Sequence, residues 1–301
     1  MNKMTRRNDP PRIAAIHDLS CFGRCALTVV LPVLSAMGSQ AIPIPTALLS
    51  THTGGFESPY FHDLTADMRE IIGHFSRLGI SFDAIYSGFL GSAEQIQIVS
   101  DFIDRFGSGK PVLVDPVIGD AGILYSTYTL EMVEGMTRLC KKADIITPNL
   151  TEACFLTGAT HPTKHPESEQ DALSLASRLC ERLRETVGDK KIVITSIRYG
   201  NMIANAFKIP GEDCRLAGTP YSGRDFPGAG ELFASVLLGS IMQNAPFEAA
   251  VRKAAAFTLR VISETQKADT PAREGVLFEK FLGELADEPR GRCPLTPAQD
   301  I

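Results

Sequence analysis

Short runs rich in β-branched residues alternate with longer amphipathic runs along most of this chain, and no other feature narrows its fold as far. "RIAAIHDL" reads as a buried strand and "ALTVVLPVLSAMG" as a helix closed by Gly38. "QAIPIPTALLS" reads as a strand interrupted by prolines, and "TADMREIIGHFSRLG" as a helix. "FDAIYSGFLG" is a strand ending in a glycine turn. The next run, "SAEQIQIVSDFIDRFG", is a helix with Ser92 as N-cap and Gln95 completing a capping box. The pattern continues through "KPVLVDPVIGD", "ADIITPNLTEACFLTG", "KKIVITSIRYG" and "NMIANAFKI". The last third is expected to be helical over 231–243, 247–265 and roughly 273–285. Strands alternating with helices imply parallel βαβ units. The expected fold is therefore α/β in three layers, a central and mostly parallel sheet covered by helices on both faces.

The chain has 301 residues, 44% of them hydrophobic, enough for a sizeable core. It shows no repeat and no low-complexity tract, and "THPTKHPESEQDA" is a polar loop leading into a helix rather than a linker. Residues 1–301 are read as one domain, with 1–10 and about 287–301 as flexible tails. The net charge is 30 − 35 = −5, which argues against a nucleic-acid or anionic-membrane partner. No apolar run approaches the roughly 20 residues of a membrane span. The start, "MNKMTRRNDPPR", lacks the apolar core of a secretory signal, so a cytoplasmic location is expected. Seven scattered cysteines read as reduced thiols, not as a disulfide framework or a metal site. His17, His52, His62 and His74 have no metal-ligand spacing, and Pro162 separates His161 from His165. All read as surface or core histidines.

In an open parallel sheet, ligands bind beyond the carboxyl ends of the strands. Polar residues following apolar strands fall into five groups: Asp18; Asp115 and Asp120; Thr147, Asn149 and Glu152; Thr195 and Ser196; and Asp225 to Glu231. Each alone is explained as a turn or cap residue. Together they gather acids, hydroxyls and an anion-binding turn on one rim. In "DFPGAGELFASVLLG", Gly228 and Gly230 let the backbone approach a ligand, and the helix starting near Ala229 aims free N–H groups at phosphate oxygens. Glu231 can accept a proton from an attacking hydroxyl. Its plainer role would be to complement the helix dipole, worth about 0.3–1 kcal/mol. Asp115, Asp120 and Glu152 suit a magnesium ion, which uses one or two protein carboxylates plus substrate phosphates. No G-x-x-x-x-G-K-[ST] motif marks a P-loop.

"D-F-P-G-A-G-E" resembles the D-x-x-G-A-G-D signature of ribokinase-like kinases, with Asp225 and Gly228 to Gly230 matching. "DPVIGDAGILY", "DIITPNLTEACFLTG" and "VITS" resemble segments of the pyridoxal kinase branch in the same order, as do "HDLSCFGR", "LLSTHTGGF" and "YSGFLGSAEQ". The similarity runs from about Ile13 to Thr265. It implies a ribokinase-like fold, ATP as co-substrate, Mg²⁺, and transfer of the γ-phosphoryl group to the 5′-hydroxymethyl of a B6 vitamer. By position, Asp115, Thr147, Asn149 and Glu152 would contact ATP or its hydrated metal, with Asp120 near the cation. Thr195 and Ser196 would line the nucleotide pocket, with Asp225 at its edge, and Gly228, Ala229 and Gly230 would form the anion hole. Asp18, His52, Thr53 and Phe89 would surround the vitamer. Relatives of this branch are commonly dimers, so the resemblance implies a homodimer.

Two departures stand out. Asp18 sits where many pyridoxal kinases carry a serine that touches the ring, and an acid there favours an amine-bearing vitamer. The family base is an aspartate, whereas this chain has Glu231, one methylene longer. From sequence, Glu231→Asp is expected to keep or raise activity and Glu231→Gln to abolish it. Alternatives are a hydroxymethylpyrimidine or sugar kinase of the same superfamily, or a non-catalytic protein that binds ATP or a vitamer. The first would carry a cysteine after the glycines and the second an asparagine-rich sugar loop, and "CFGRCALT" has no asparagine.

Overall fold

The computed structural model describes residues 9–286, so the expected tails fall almost wholly outside the described residues, as does Cys293. The first half contains β1 (Arg12–Phe22), α1 (Leu27–Ala36), β2 (Gln40–Thr51), β3 (Phe61–Asp63), α2 (Thr65–Arg77), β4 (Ala84–Ser87), α3 (Ala93–Phe106) and β5 (Val112–Val114). A small hairpin follows, β6 (Gly119–Asp120) and β7 (Ile123–Leu124), then α4 (Leu130–Cys140), β8 (Ile145–Ile146) and α5 (Leu150–Thr157). The remainder is α6 (Glu169–Val187), β9 (Lys191–Tyr199), β10 (Met202–Lys208), β11 (Arg215–Pro220), α7 (Ala229–Met242) and α8 (Phe247–Lys267).

Nine strands form one sheet in the order β11-β10-β9-β8-β5-β4-β1-β2-β3. The six from β9 to β2 run parallel, while β3 and the β10–β11 hairpin pair antiparallel at the two edges. Successive side chains of a strand point to opposite faces, so a strand buried on both faces reads as a continuous apolar run. "IAAI" in β1 obeys this: Ala14 and Ile16 join a core with α2 to α6, and Ile13 and Ala15 join a second core with α1, α7 and α8. The three-layer α/β/α expectation therefore holds. Among the described residues no helix is long and apolar enough to cross a membrane.

The structure corrects four local expectations. β2 is continuous through its prolines, because β3 joins its outer side only from Ala47 to Leu49, and Pro43 and Pro45 precede that pairing. The run expected as a helix over 273–285 is two 3₁₀ turns, Ala272–Glu274 and Glu279–Glu284. Gly275 (φ 83°) breaks it, lying so near the Arg24 carbonyl that a Cβ would meet it at 2.6 Å. α4 and β11 were not read from the sequence at all. Finally, only half of the capping box at Ser92 forms: its hydroxyl accepts from the Gln95 N–H at 3.2 Å. The Gln95 side chain, fully buried, turns elsewhere. It accepts from the Gly91 N–H at 2.8 Å and donates to the Thr46 carbonyl, Asp63 and Thr65 at 2.8, 3.1 and 3.0 Å. A reciprocal box forms instead between Asn149 and Glu152.

Gln95 thus ties α3 to β2 and to the start of α2. Gln95→Leu takes the acceptor from the Gly91 N–H and one of the two donors from the Thr46 carbonyl, which keeps the Leu64 N–H, and denaturant unfolding should show a loss of about 2–4 kcal/mol.

Candidate active site

The carboxyl ends of β1, β4, β5, β8 and β9 lie side by side, and Asp18, Asp115 and Glu152 are buried there. Glu231, in the first turn of α7, is the group whose charge acts on both Asp18 and Asp115. Its Oε1 accepts a hydrogen bond from the Ala26 N–H at 3.1 Å. Ala26 is the N-cap of α1 and holds a φ of 49°, a left-handed conformation uncommon for a residue with a Cβ. Such strain persists only where surrounding structure over-determines it, and it clusters at functional sites.

The turn ahead of α7 explains its glycines. Gly228 (φ 81°) packs so tightly on the Arg24 carbonyl that a Cβ would lie 2.0 Å from that oxygen. A Cβ on Gly230 would meet nothing within 4 Å, so this side of the turn is open. No side chain caps α7, which leaves the first-turn N–H groups of Gly230 and Glu231 available to an anion. Asp225 does not enter the turn. It is exposed, forms an ion pair with Arg198 and lies 3.5 Å from the Tyr221 hydroxyl. Arg198 in turn stacks over the Tyr221 ring at 4.3 Å.

Asp115 follows β5 and is buried, with Oδ1 accepting from the Thr147 hydroxyl at 3.0 Å. Burial, and then the charge of Glu231, push its pKa up to about 7 against the hydroxyl's opposing effect. Glu152 is buried too, and its pKa is pushed well above the usual carboxylate range by burial and by Asp115. Both its oxygens are committed: one accepts from the Ile118 N–H at 3.2 Å, the other from the Asn149 N–H at 2.7 Å. Asn149 donates from Nδ2 to the Gly119 carbonyl at 2.9 Å, docking the β6–β7 hairpin on α5. Asp120 is exposed and accepts from the Ala121 N–H at 2.8 Å. Among the described residues no three His, Cys, Asp or Glu side chains are grouped to chelate an ion. Asp115, Asp120 and Glu152 therefore do not form a direct three-carboxylate ligand set. Thr195 lies beside Asn149, its N–H donating to the Pro148 carbonyl at 2.9 Å. It shares a bulge in β9 with exposed Ser196 (φ 65°).

On the other flank Asp18 sits opposite a bulge in β2, buried, with Oδ2 accepting from the Ser20 hydroxyl at 3.0 Å. Burial, then Glu231, raise its pKa to about 7 while Ser20 opposes the shift. Phe89, half-buried, follows β4 and faces the Tyr128 ring at 6.5 Å. The polar contacts of His52 are internal. Its Nδ1 accepts from the Gly54 N–H at 3.1 Å, so its Nε2 carries the proton, 2.6 Å from the Arg273 carbonyl. Both ring nitrogens are spent on holding the 52–60 loop, which leaves only the ring face for a ligand. Thr53 is exposed beside it. His17 is a core histidine, edge-on to Tyr86 at 4.3 Å, and burial pushes its pKa down to about 3.

Sequence reasoning missed Arg24, Ala26, Gly275, Ser20 and Arg198. Ser20, two residues after Asp18 on the same strand, was within reach of a period-two reading. The others act through backbone groups or across long sequence separations, and carry no local signal.

Comparison with known proteins bears on this geometry. The phosphomethylpyrimidine kinase family profile matches residues 29–274. A Bacteroides thetaiotaomicron structure, provisionally assigned as a phosphomethylpyrimidine kinase and solved with pyridoxal, is 39% identical, with a TM-score of 0.83 over 92% of this chain and 96% of its own. Pyridoxal kinase from Lactobacillus plantarum is 28% identical, with a TM-score of 0.83 over 91% and 96% of the two chains. Pyridoxal kinase PdxY of Corynebacterium diphtheriae is 24% identical over 277 residues, 89% of this chain and 93% of its own.

The raised acids make a stability prediction. With a folded pKa of about 7 for Asp115 against the usual 3.8, the native state binds more protons than the unfolded chain between those values. Stability therefore falls as pH rises through that window, and the full cost is present above it. Asp115→Asn should raise the unfolding free energy of the ligand-free protein by on the order of 2–4 kcal/mol at pH 8 and leave it nearly unchanged at pH 4. Denaturant titrations at the two pH values check this.

Proposed function

This chain belongs to the phosphomethylpyrimidine kinase family, and from that premise we propose that it is an ATP-dependent kinase of the 5′-hydroxymethyl group of a B6 vitamer. The relatives named pyridoxal kinase, and the 39% identical structure with pyridoxal, support the choice of acceptor. The observation that carries the chemistry is the setting of Glu231. Its Oε1 is anchored by the Ala26 N–H at 3.1 Å. The other oxygen is free to take a proton from an alcohol.

In this reading the acceptor lies between Asp18 and Phe89, with its hydroxyl toward Glu231. Glu231 removes the hydroxyl proton as the oxygen attacks the γ-phosphorus in line. The Gly230 and Glu231 N–H groups, at the positive end of α7, stabilise charge on the transferred phosphoryl. Closely packed donors of this kind act without reorganising at the moment of reaction. Thr195 and Ser196 line the nucleotide side, and the Arg198–Tyr221 stack holds Asp225 at its edge.

The acids also fit a hydrated magnesium ion. Asp115 is buried with one oxygen on Thr147 and the other uncommitted, and like charge from Glu231 already burdens it. It would hold the ion, with Asp120 and Glu152 acting through water. When bound, magnesium neutralises phosphate charge. The same reading takes the protein as a single-domain, cytoplasmic homodimer. Phe22, Tyr60 and Phe61, exposed around the outer edge of β1 to β3, are the apolar surface such a dimer would cover.

The Ala26 hydrogen bond reverses the expectation for the shorter acid. Glu231→Asp withdraws the carboxylate from its anchor by about one bond length, and kcat should fall on the order of a hundredfold. Glu231→Gln should lose about 10²–10⁴-fold. ATP consumption with pyridoxal, pyridoxine, pyridoxamine and hydroxymethylpyrimidine as acceptors checks both, and a Gln variant as active as the parent removes Glu231 from the mechanism.

Asp18 gives a specificity prediction. An acid in the vitamer pocket favours an ammonium group on the ring. Asp18→Ser should lower kcat/KM for pyridoxamine relative to pyridoxal by roughly tenfold, the size of one charge-assisted hydrogen bond. Unchanged ratios would reject the assignment.

A further inference from the structure

Two thiols far apart in sequence meet in the core at the opposite end of the sheet. Cys180 is fully buried on α6, and Cys214 immediately precedes β11. Their sulfur atoms are 3.9 Å apart. The loop carrying Cys214 follows Lys208, which pairs with Ile192 at the amino end of β9. The pair therefore lies at the amino ends of the parallel strands, away from the rim that carries Glu231.

We propose that Cys180 and Cys214 are a modification site, a dithiol that closes reversibly to a disulfide with a small disulfide oxidant such as oxidised glutathione. Three observations make the roles of the two sulfurs unequal. Cys214 is 9% exposed while Cys180 is wholly enclosed, so an oxidant meets Cys214 first. The thiol hydrogen bond between them favours thiolate at Cys214, lowering its pKa, and raises that of Cys180. Lys208 adds its positive charge to this side, with Glu181 acting against it. The lysine is held in place by Glu181 at 2.9 Å and by the Glu212 carbonyl at 2.8 Å.

The chemistry closes without any further reactant. Cys214 thiolate attacks one sulfur of oxidised glutathione, forming a mixed disulfide and expelling one glutathione thiolate. Cys180 then gives up its proton and attacks the Cys214 sulfur, expelling the second glutathione. Two protein thiols become one disulfide, and one glutathione disulfide becomes two glutathione thiols. The sulfurs must close from 3.9 Å to about 2.05 Å. The Cys214 loop, with Gly211 three residues earlier at φ 80°, supplies the freedom for that approach. The crosslink would join α6 to the β10–β11 hairpin, two segments that sequence alone leaves 34 residues apart. It restricts the unfolded chain and should therefore raise thermal stability.

The test treats the folded full-length protein with oxidised glutathione, then alkylates and maps peptides under non-reducing conditions. The expected result is a Cys180–Cys214 linked peptide that disappears on adding dithiothreitol, with Tm raised by about 3–8 °C over the reduced protein. Both effects should be absent from Cys214→Ser and from Cys180→Ala, whichever of the two folds better. Exposed Cys21 reports that the oxidant was active, by carrying a glutathione adduct. If Cys21 is modified while Cys180 and Cys214 are recovered alkylated, the proposal fails. A stable glutathione adduct on Cys214 with Cys180 still free also overturns it.

Discussion

Negative charge concentrated at adjacent strand ends is the constraint that the rest of this structure answers. Asp18 and Asp115 are both buried, both feel Glu231, and both have pKa values near 7. Such a cluster is tolerated because each acid has a fixed donor: the Ser20 hydroxyl for Asp18, the Thr147 hydroxyl for Asp115 and the Ala26 N–H for Glu231. Glu152 goes furthest, with two backbone N–H groups, and serves as the clasp that starts α5. The remaining repulsion is one that a bound cation would relieve. A fold selected for stability alone would place amides at 18 and 115.

The second structural answer is a single backbone position. Arg24 brings together three segments that are distant in sequence. Its N–H donates to the Glu274 carbonyl at 3.0 Å, and its side chain reaches Glu279. Its own carbonyl presses against Gly228 on one side and Gly275 on the other, where any Cβ would collide. Ala26, two residues on, receives Glu231. The segment after α8 therefore helps to set where the carboxylate sits, though it carries no group of the reaction itself. His52 extends the same fastening to the 52–60 loop through the Arg273 carbonyl.

Much of this architecture was legible because it rests on local patterning. The alternation of "IAAI" with amphipathic runs gave the layers, and hydrophilic residues after each strand gave the rim. What escaped depends on long-range packing. The stretch over 273–285 has helical composition, yet Gly275 must fit against Arg24 from the other end of the chain. Gln95 matches a capping box, but its side-chain oxygen accepts from the Gly91 N–H while its amide donates to the Thr46 carbonyl on β2. α4 escaped because Gly135 interrupts its apolar pattern, and that glycine packs against Ile96 of α3. His52 spends both ring nitrogens on backbone groups of Gly54 and Arg273, and no sequence pattern reports that.

The longer acid at position 231 is best understood from its partner rather than its own chemistry. Aspartate and glutamate are equally able to take a proton; what differs is how far the carboxylate stands from the backbone of α7. In this chain that extra reach ends on the N–H of Ala26, which has a φ of 49° and lies two residues after Arg24, whose carbonyl packs on Gly228 and Gly275. A carboxylate held through one oxygen is restricted in rotation, which limits where the other oxygen can point. The methylene that looks like a defect in the signature is then matched by the loop facing it. Chain length and loop strain belong to one arrangement, and changing either alone should misplace the carboxylate.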